Sequence, residues 1–122
     1  MSWDFKKGIP IYSQIVRKLE IDLLSGRYQL GEKIPSVRDL AMEANVNPNT
    51  MQRALMEMER SGLIYSERTS GRFVTLEQDR INNLKEELSK EYFDEFFKSL
   101  YLLGFTNDEI VDAVKKRIKT EE

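Results

Sequence analysis

Ser36-Val37-Arg38-Asp39-Leu40-Ala41-Met42-Glu43-Ala44-Asn45-Val46-Asn47-Pro48-Asn49-Thr50-Met51-Gln52-Arg53-Ala54-Leu55 contains two helix starts in quick succession. Ser36 is placed to cap a helix, with Asp39 three residues on as an approximate capping-box partner and Val37, Leu40 and Ala41 on the inner face. That helix ends near Ala44-Asn45. Asn47 caps the next one, and Pro48 suits its first turn because a missing N–H costs nothing there. Met51, Ala54, Leu55 and Met58 supply an apolar stripe before Ser61-Gly62 stops the helix. Two helices separated only by Asn45-Val46 predict a helix-turn-helix.

Upstream, Ile11, Ile15, Leu19 and Leu23 recur every fourth residue beside Val16, with Pro10 just ahead and Ser25-Gly26 as the stop. This spacing predicts an amphipathic helix with Arg17, Lys18, Glu20 and Asp22 on its other faces. Tyr28 to Pro35 reads as a short extended connector. Downstream, residues 63–67 and 72–76 predict two short strands around Arg68-Thr69-Ser70-Gly71, a β-ribbon behind the second helix of the motif. From Gln78 to Leu103 neither Gly nor Pro interrupts a helical pattern. Gly104 ends it, Thr106 with Glu109 forms a T-x-x-E capping box, and Ile110, Val111, Val114 and Ile118 define a last helix. Lys115, Lys116, Arg117 and Lys119 fall near its C-terminal end, where cations oppose the helix dipole.

The fold class expected is therefore mostly α with a small β-wing (α+β): a winged helix-turn-helix over residues 1–76, then a two-helix C-terminal region over 77–122. At 122 residues the chain is too short for a barrel-type active site. It contains no Cys and no His, which removes thiolate zinc sites, the usual nucleophile–base systems and the commonest general base. The adjacent acids Asp94-Glu95 and Asp108-Glu109 point in different directions on a helix and read as solvated surface. No enzyme activity, cofactor or metal is expected. The N-terminus lacks the apolar core of a secretory signal and no stretch approaches the ~20 apolar residues of a membrane span, so a cytoplasmic location without membrane contact is expected.

The net charge of −2 hides a division along the chain. Residues 1–76 carry eleven Lys/Arg against nine Asp/Glu, and residues 77–122 carry eight against twelve. Any phosphate-binding face must come from local arrangement of cations. A recognition helix presents residues that reach base edges or phosphates from its N-terminal turns, and Asn47, Asn49, Thr50, Gln52 and Arg53 are of that kind. Asn and Gln suit adenine, Arg suits guanine, and Thr with helix-start amides suits phosphate. The plainer reading makes these residues caps and a solvated helix face. Arg38 reads either as a DNA contact or as a member of a surface ion pair. Thr69, Ser70, Gly71 and Arg72 at the wing tip suit backbone or minor-groove contact, or form an ordinary hairpin turn.

Residues 10–75 resemble the DNA-binding domain of the GntR family of bacterial regulators. Tyr12-Ser13-Gln14-Ile15, the run from Gly31 to Ala41, Val46 to Leu55, Glu59-Arg60-Ser61-Gly62-Leu63-Ile64 and Gly71-Arg72-Phe73-Val74 carry the match. The run Val46 to Ala54 and the short acidic tail are similar to the YtrA-like subgroup. The resemblance implies that Arg38, the segment Asn47-Pro48-Asn49-Thr50-Met51-Gln52-Arg53 and the wing tip contact double-stranded operator DNA. The chain departs from the family wing, Gly, any residue, Gly, Thr, Phe, Val, in having Thr69 for the first Gly and Arg72 for the Thr.

Tyr92, Phe93, Phe96, Phe97, Leu100, Tyr101, Leu102 and Leu103 place eight apolar residues in twelve. That is more than a two-helix tail covers alone. A two-fold interface through Leu88, Tyr92, Phe93, Phe96, Phe97, Leu100 and Tyr101 is expected, making the protein a homodimer with a palindromic operator. A helical hairpin packed on its own DNA-binding domain is the alternative. A homodimeric repressor is the function expected, against a winged-helix protein–protein adaptor that binds no DNA. No small-molecule effector is identified by the sequence.

Overall fold

Helix starts are fixed by residues that satisfy the otherwise unpaired first N–H groups. Ser36 Oγ accepts from Asp39 N–H at 3.1 Å to open a helix over Val37–Ala44, and Asn47 Oδ1 accepts from Asn49 N–H at 2.8 Å to open one over Pro48–Arg60. In the computed structural model, which describes residues 3–121, the elements run α1 (Ile11–Leu24), α2 (Val37–Ala44), α3 (Pro48–Arg60), β1 (Ile64–Glu67), β2 (Gly71–Val74), α4 (Gln78–Leu102) and α5 (Asn107–Glu121). The turn between α2 and α3 is tight because Asn45 adopts a left-handed conformation, φ 55° and ψ 50°, which Asn tolerates better than most residues. Val46 N–H then closes back on Ala41 O at 3.0 Å.

The chain divides into two compact units, one ending at Lys85 and one beginning at Glu86, so that α4 starts in the first and continues into the second. In the first unit α1 and α2 pack on α3, and Ile15, Leu40, Met51, Ala54 and Leu55 are essentially closed to solvent. The stripe of α3 is thus turned inward at the predicted positions. At Gly62, with φ +82°, the backbone turns from α3 into the wing in a conformation that side-chain-bearing residues avoid.

Three details differ from expectation. Asp22, expected on a face of α1 away from its apolar stripe, is completely buried. It is tolerated because Lys18 Nζ donates to both its carboxylate oxygens at 3.1 and 3.0 Å and Arg27 approaches at 3.4 Å, while Arg27 also pairs with Glu43 of α2 at 3.1 Å. Gly71, expected in the hairpin turn, belongs to β2 and pairs with Glu67, leaving a three-residue turn. The connector over 28–35 also joins the sheet. Lys33 forms a bridge to Phe73, Ile34 N–H donates to Arg72 O at 3.0 Å, and Val74 N–H donates to Glu32 O at 2.9 Å.

In the second unit the Thr106 and Glu109 capping box is complete. Glu109 Oε1 accepts from Thr106 N–H at 2.9 Å and Thr106 Oγ1 accepts from Glu109 N–H at 3.2 Å. Tyr101 Oη donates to Asn107 Oδ1 at 2.6 Å and ties the end of α4 to the start of α5.

Candidate nucleic-acid interface

With Met51, Ala54, Leu55 and Met58 buried, helical geometry turns Asn49, Gln52, Arg53 and Met56 away from the core. Asn49 and Arg53 are exposed, and Gln52 and Thr50 are half-buried. Asn47 spends its side-chain oxygen on the Asn49 amide, so its NH₂ group remains for an outside acceptor. Pro48 follows at the first helical position and its ring is exposed. No acid stands in the first turn of α3, so the positive end of the helix dipole is unopposed there.

Two arginines differ in their surroundings. Arg38 is exposed in the first turn of α2, and among the described residues its guanidinium has neither an ion pair nor a hydrogen bond. The surface-pair reading of Arg38 therefore has no partner to support it. Arg53 has no ion pair among the described residues either; its guanidinium carbon lies 3.8 Å from the centroid of the Tyr12 ring of α1.

At the wing, Thr69, Ser70 and Gly71 are exposed, and Ser70 N–H donates to Glu67 O at 3.3 Å. Arg72 is not offered outward in the same way. Its Nε donates to Glu59 Oε1 of α3 at 2.7 Å, and the same oxygen accepts from Ser66 Oγ of β1. Burial works to raise the Glu59 carboxyl, but the hydrogen bonds from Ser66 and Arg72 outweigh it and hold its pKa below the ordinary value. Glu59 thus clamps both wing strands to the last turns of α3. Lys33 was not singled out by sequence reading, yet its stem crosses Gly71 so closely that a Cβ there would come within 3.1 Å of Lys33 Cε. Its exposed ammonium end is brought beside Gly71, next to the wing turn. Tyr12 was visible only as part of a family motif. Neither residue carried a local signal, because each acts through a neighbour distant in sequence.

The sequence of residues 11–74 matches the family model described as "Bacterial regulatory proteins, gntR family". The chain belongs to the GntR family. This GntR protein is 36% identical over 115 residues to the uncharacterized HTH-type transcriptional regulator YhcF of Bacillus subtilis, covering 94% of the chain and 95% of that relative. It is 33% identical to the HTH-type transcriptional repressor YtrA of the same organism, with 81% of each covered, which supports the YtrA-like assignment. Among solved structures, a GntR family transcriptional regulator from Listeria monocytogenes superposes with a TM-score of 0.85 at 37% identity over 92% of the chain and 98% of its own. The AraR DNA-binding domain in complex with operator ORX1 superposes with a TM-score of 0.56 at 25% identity, over 59% of the chain and 93% of its own. This GntR chain is accordingly a DNA-binding transcription regulator with a winged helix-turn-helix.

The second unit of the GntR chain leaves a large apolar surface uncovered. Tyr92, Phe93 and Tyr101 are 56, 58 and 51% exposed, and Phe96 and Phe97 are also exposed. Phe93, Phe97 and Tyr101 stack along α4 with ring centroids 6.1 and 6.2 Å apart. Between α4 and α5 an open groove of about 840 Å³ is lined by Tyr92, Phe96, Leu100, Phe105, Val114 and Arg117, among others. Leu100 is half-buried, whereas Leu88 is only 6% exposed and so has little side chain to offer a partner. Among the described residues no helix is long and apolar enough to cross a membrane.

Proposed function

We propose that this protein is a homodimeric repressor that binds a palindromic operator. DNA recognition belongs to residues 1–76 and self-association to residues 77–122. The first turns of α3 enter the major groove, where Asn49, Gln52 and Arg53 read base edges while Asn47, Pro48, Thr50 and the helix-start amides approach phosphate. Arg38 reaches the backbone from α2, and Thr69, Ser70 and Gly71 contact it from the wing. Arg72 serves this reading through its clamp on Glu59 and not as a free cation.

The observation that carries the proposal is that, among the described residues, the side chains of Asn49, Gln52 and Arg53 on α3 and of Arg38 on α2 make no ion pair or hydrogen bond. A surface that only solvated the fold would tend to pair its arginines with local acids, as Arg60 does with Glu57 and Arg80 with Glu77. The exposed aromatic face of α4 supports self-association, since apolar surface of this extent is characteristic of an interface. A two-fold pair would set two α3 helices about one DNA turn, ~34 Å, apart. Repression follows from a dimer covering a promoter, and a location in the bacterial cytoplasm follows from DNA as the target. Selection of duplexes from genomic DNA by the purified protein, followed by footprinting, tests the proposal. An inverted repeat protected over the promoter is expected; retained fragments without a common motif would contradict it.

A further inference from the structure

Arg53 is the cation in the N-terminal half of the outward face of α3, and an aromatic ring lies against it. Tyr12, the second residue of α1, sits under its guanidinium at 3.8 Å. The backbone that carries the ring is held by its neighbours. Gln14 Nε2 donates to Lys6 O at 2.9 Å and to Ile9 O at 3.0 Å, its Oε1 accepts from Lys6 N–H at 2.7 Å, and Ser13 Oγ donates to Pro10 O at 2.8 Å. These bonds pin the chain ahead of α1 across its first turn, while Ile15, fully buried, anchors the helix beside α3. The stretch Tyr12-Ser13-Gln14-Ile15 is therefore tied down on both sides of the residue that carries the ring.

A guanidinium meets an aromatic ring through its face and meets hydrogen-bond acceptors through its edge, so both contacts can be made together. An unsupported arginine on a helix surface samples many rotamers and loses that freedom when it binds. With no ion pair or hydrogen bond to its guanidinium among the described residues, Arg53 owes its orientation to the ring. We propose that Tyr12 is a positioning residue for operator recognition: it stacks on Arg53 and holds the guanidinium edge toward the base that Arg53 reads. This inference rests on the proposed DNA-binding role of α3.

The test uses the full chain and a duplex selected by the wild-type protein, with affinity read by fluorescence anisotropy for Tyr12→Leu, Tyr12→Phe, Arg53→Ala and the double variant Tyr12→Leu/Arg53→Ala. Thermal melts run alongside. Tyr12→Leu should weaken binding by about three- to tenfold and flatten discrimination at the base read by Arg53. Tyr12→Phe, which keeps the ring, should stay within about twofold of wild type, and Tyr12→Leu should add nothing in the Arg53→Ala background. Equal losses from Tyr12→Leu with and without Arg53 would overturn the proposal in favour of a merely structural tyrosine. So would a Tyr12→Phe variant as weak as Tyr12→Leu, or an unaffected Tyr12→Leu. If the wild-type protein selects no duplex, or Arg53→Ala binds as wild type does, the DNA-binding reading of α3 fails, and the inference with it.

Discussion

Glu59, in the last turn of α3, accepts a hydrogen bond from Arg72 Nε of β2 at 2.7 Å, and this pair joins the reading helix to the wing. Both side chains are mostly withdrawn from solvent, at 29 and 19% exposure, so the contact is charge-assisted and poorly screened. Because Ser66 of β1 donates to the same carboxylate oxygen, a single side chain fixes both strands. Glu59→Ala should destabilise the fold by about 1–2 kcal/mol in urea unfolding, since it leaves Arg72 without its acceptor. Amide exchange should rise most in β1 and β2. Unchanged exchange in the wing would show that the clamp does not hold it.

Acid should act on the same contact. The Glu59 pKa is lowered, and so is that of Glu43, chiefly through the hydrogen bond from Arg27. A carboxyl whose folded pKa lies below its unfolded one binds fewer protons when folded, so its contribution is complete above the ordinary glutamate value of about 4.3 and is lost as pH falls through the depressed value. The melting temperature is therefore expected to change little from these groups between about pH 6 and 7 and to fall below about pH 4.5. The pair of substitutions Glu43→Gln and Glu59→Gln should flatten that acid limb, which differential scanning fluorimetry across pH would reveal. An equally steep limb in the substituted protein would assign acid sensitivity elsewhere.

Lys33 offers a cation beside the wing turn that base-reading residues do not duplicate. Lys33→Ala should weaken binding to all operator variants alike and reduce the slope of log affinity against log salt by about 1. Titrations at several salt concentrations measure that slope. A loss confined to particular base substitutions would make Lys33 a base-reading residue instead.

Self-association is expected to depend on the exposed rings of α4 and not on Leu88. Substituting both Phe93 and Phe97 by Ser should shift the protein to monomer in light scattering at micromolar concentration and weaken operator binding about tenfold or more, through loss of the second half-site. Circular dichroism would confirm that the helices persist. A wild-type protein that scatters as a monomer would end the dimer proposal.

Local chemistry made much of this fold legible. Ser36, Asn47 and Thr106 announce helix starts because capping is decided within three residues, and Gly62 and Gly104 mark the ends by the positive φ they adopt. What could not be read depends on partners far along the chain. Asp22 lies inside beside Lys18 and Arg27, and Arg27 is itself paired with Glu43 of α2, an element the local pattern around Asp22 does not reveal. Lys33 joins the sheet by one bridge, too short for an alternating pattern to appear. Arg72 looked like a free wing cation because its acceptor, Glu59, is thirteen residues away. The outward face of α3 was legible as a face; the ring beneath Arg53 was not.

The most direct measurement is the affinity of the wild-type protein and of an Asn49→Ala/Gln52→Ala/Arg53→Ala variant for a duplex that the wild type selects, set against a scrambled duplex of equal length. The wild type should prefer the selected duplex by about a thousandfold or more, and the variant should bind both about equally while keeping its melting temperature. A variant that retained the preference would contradict the assignment of recognition to this face of α3.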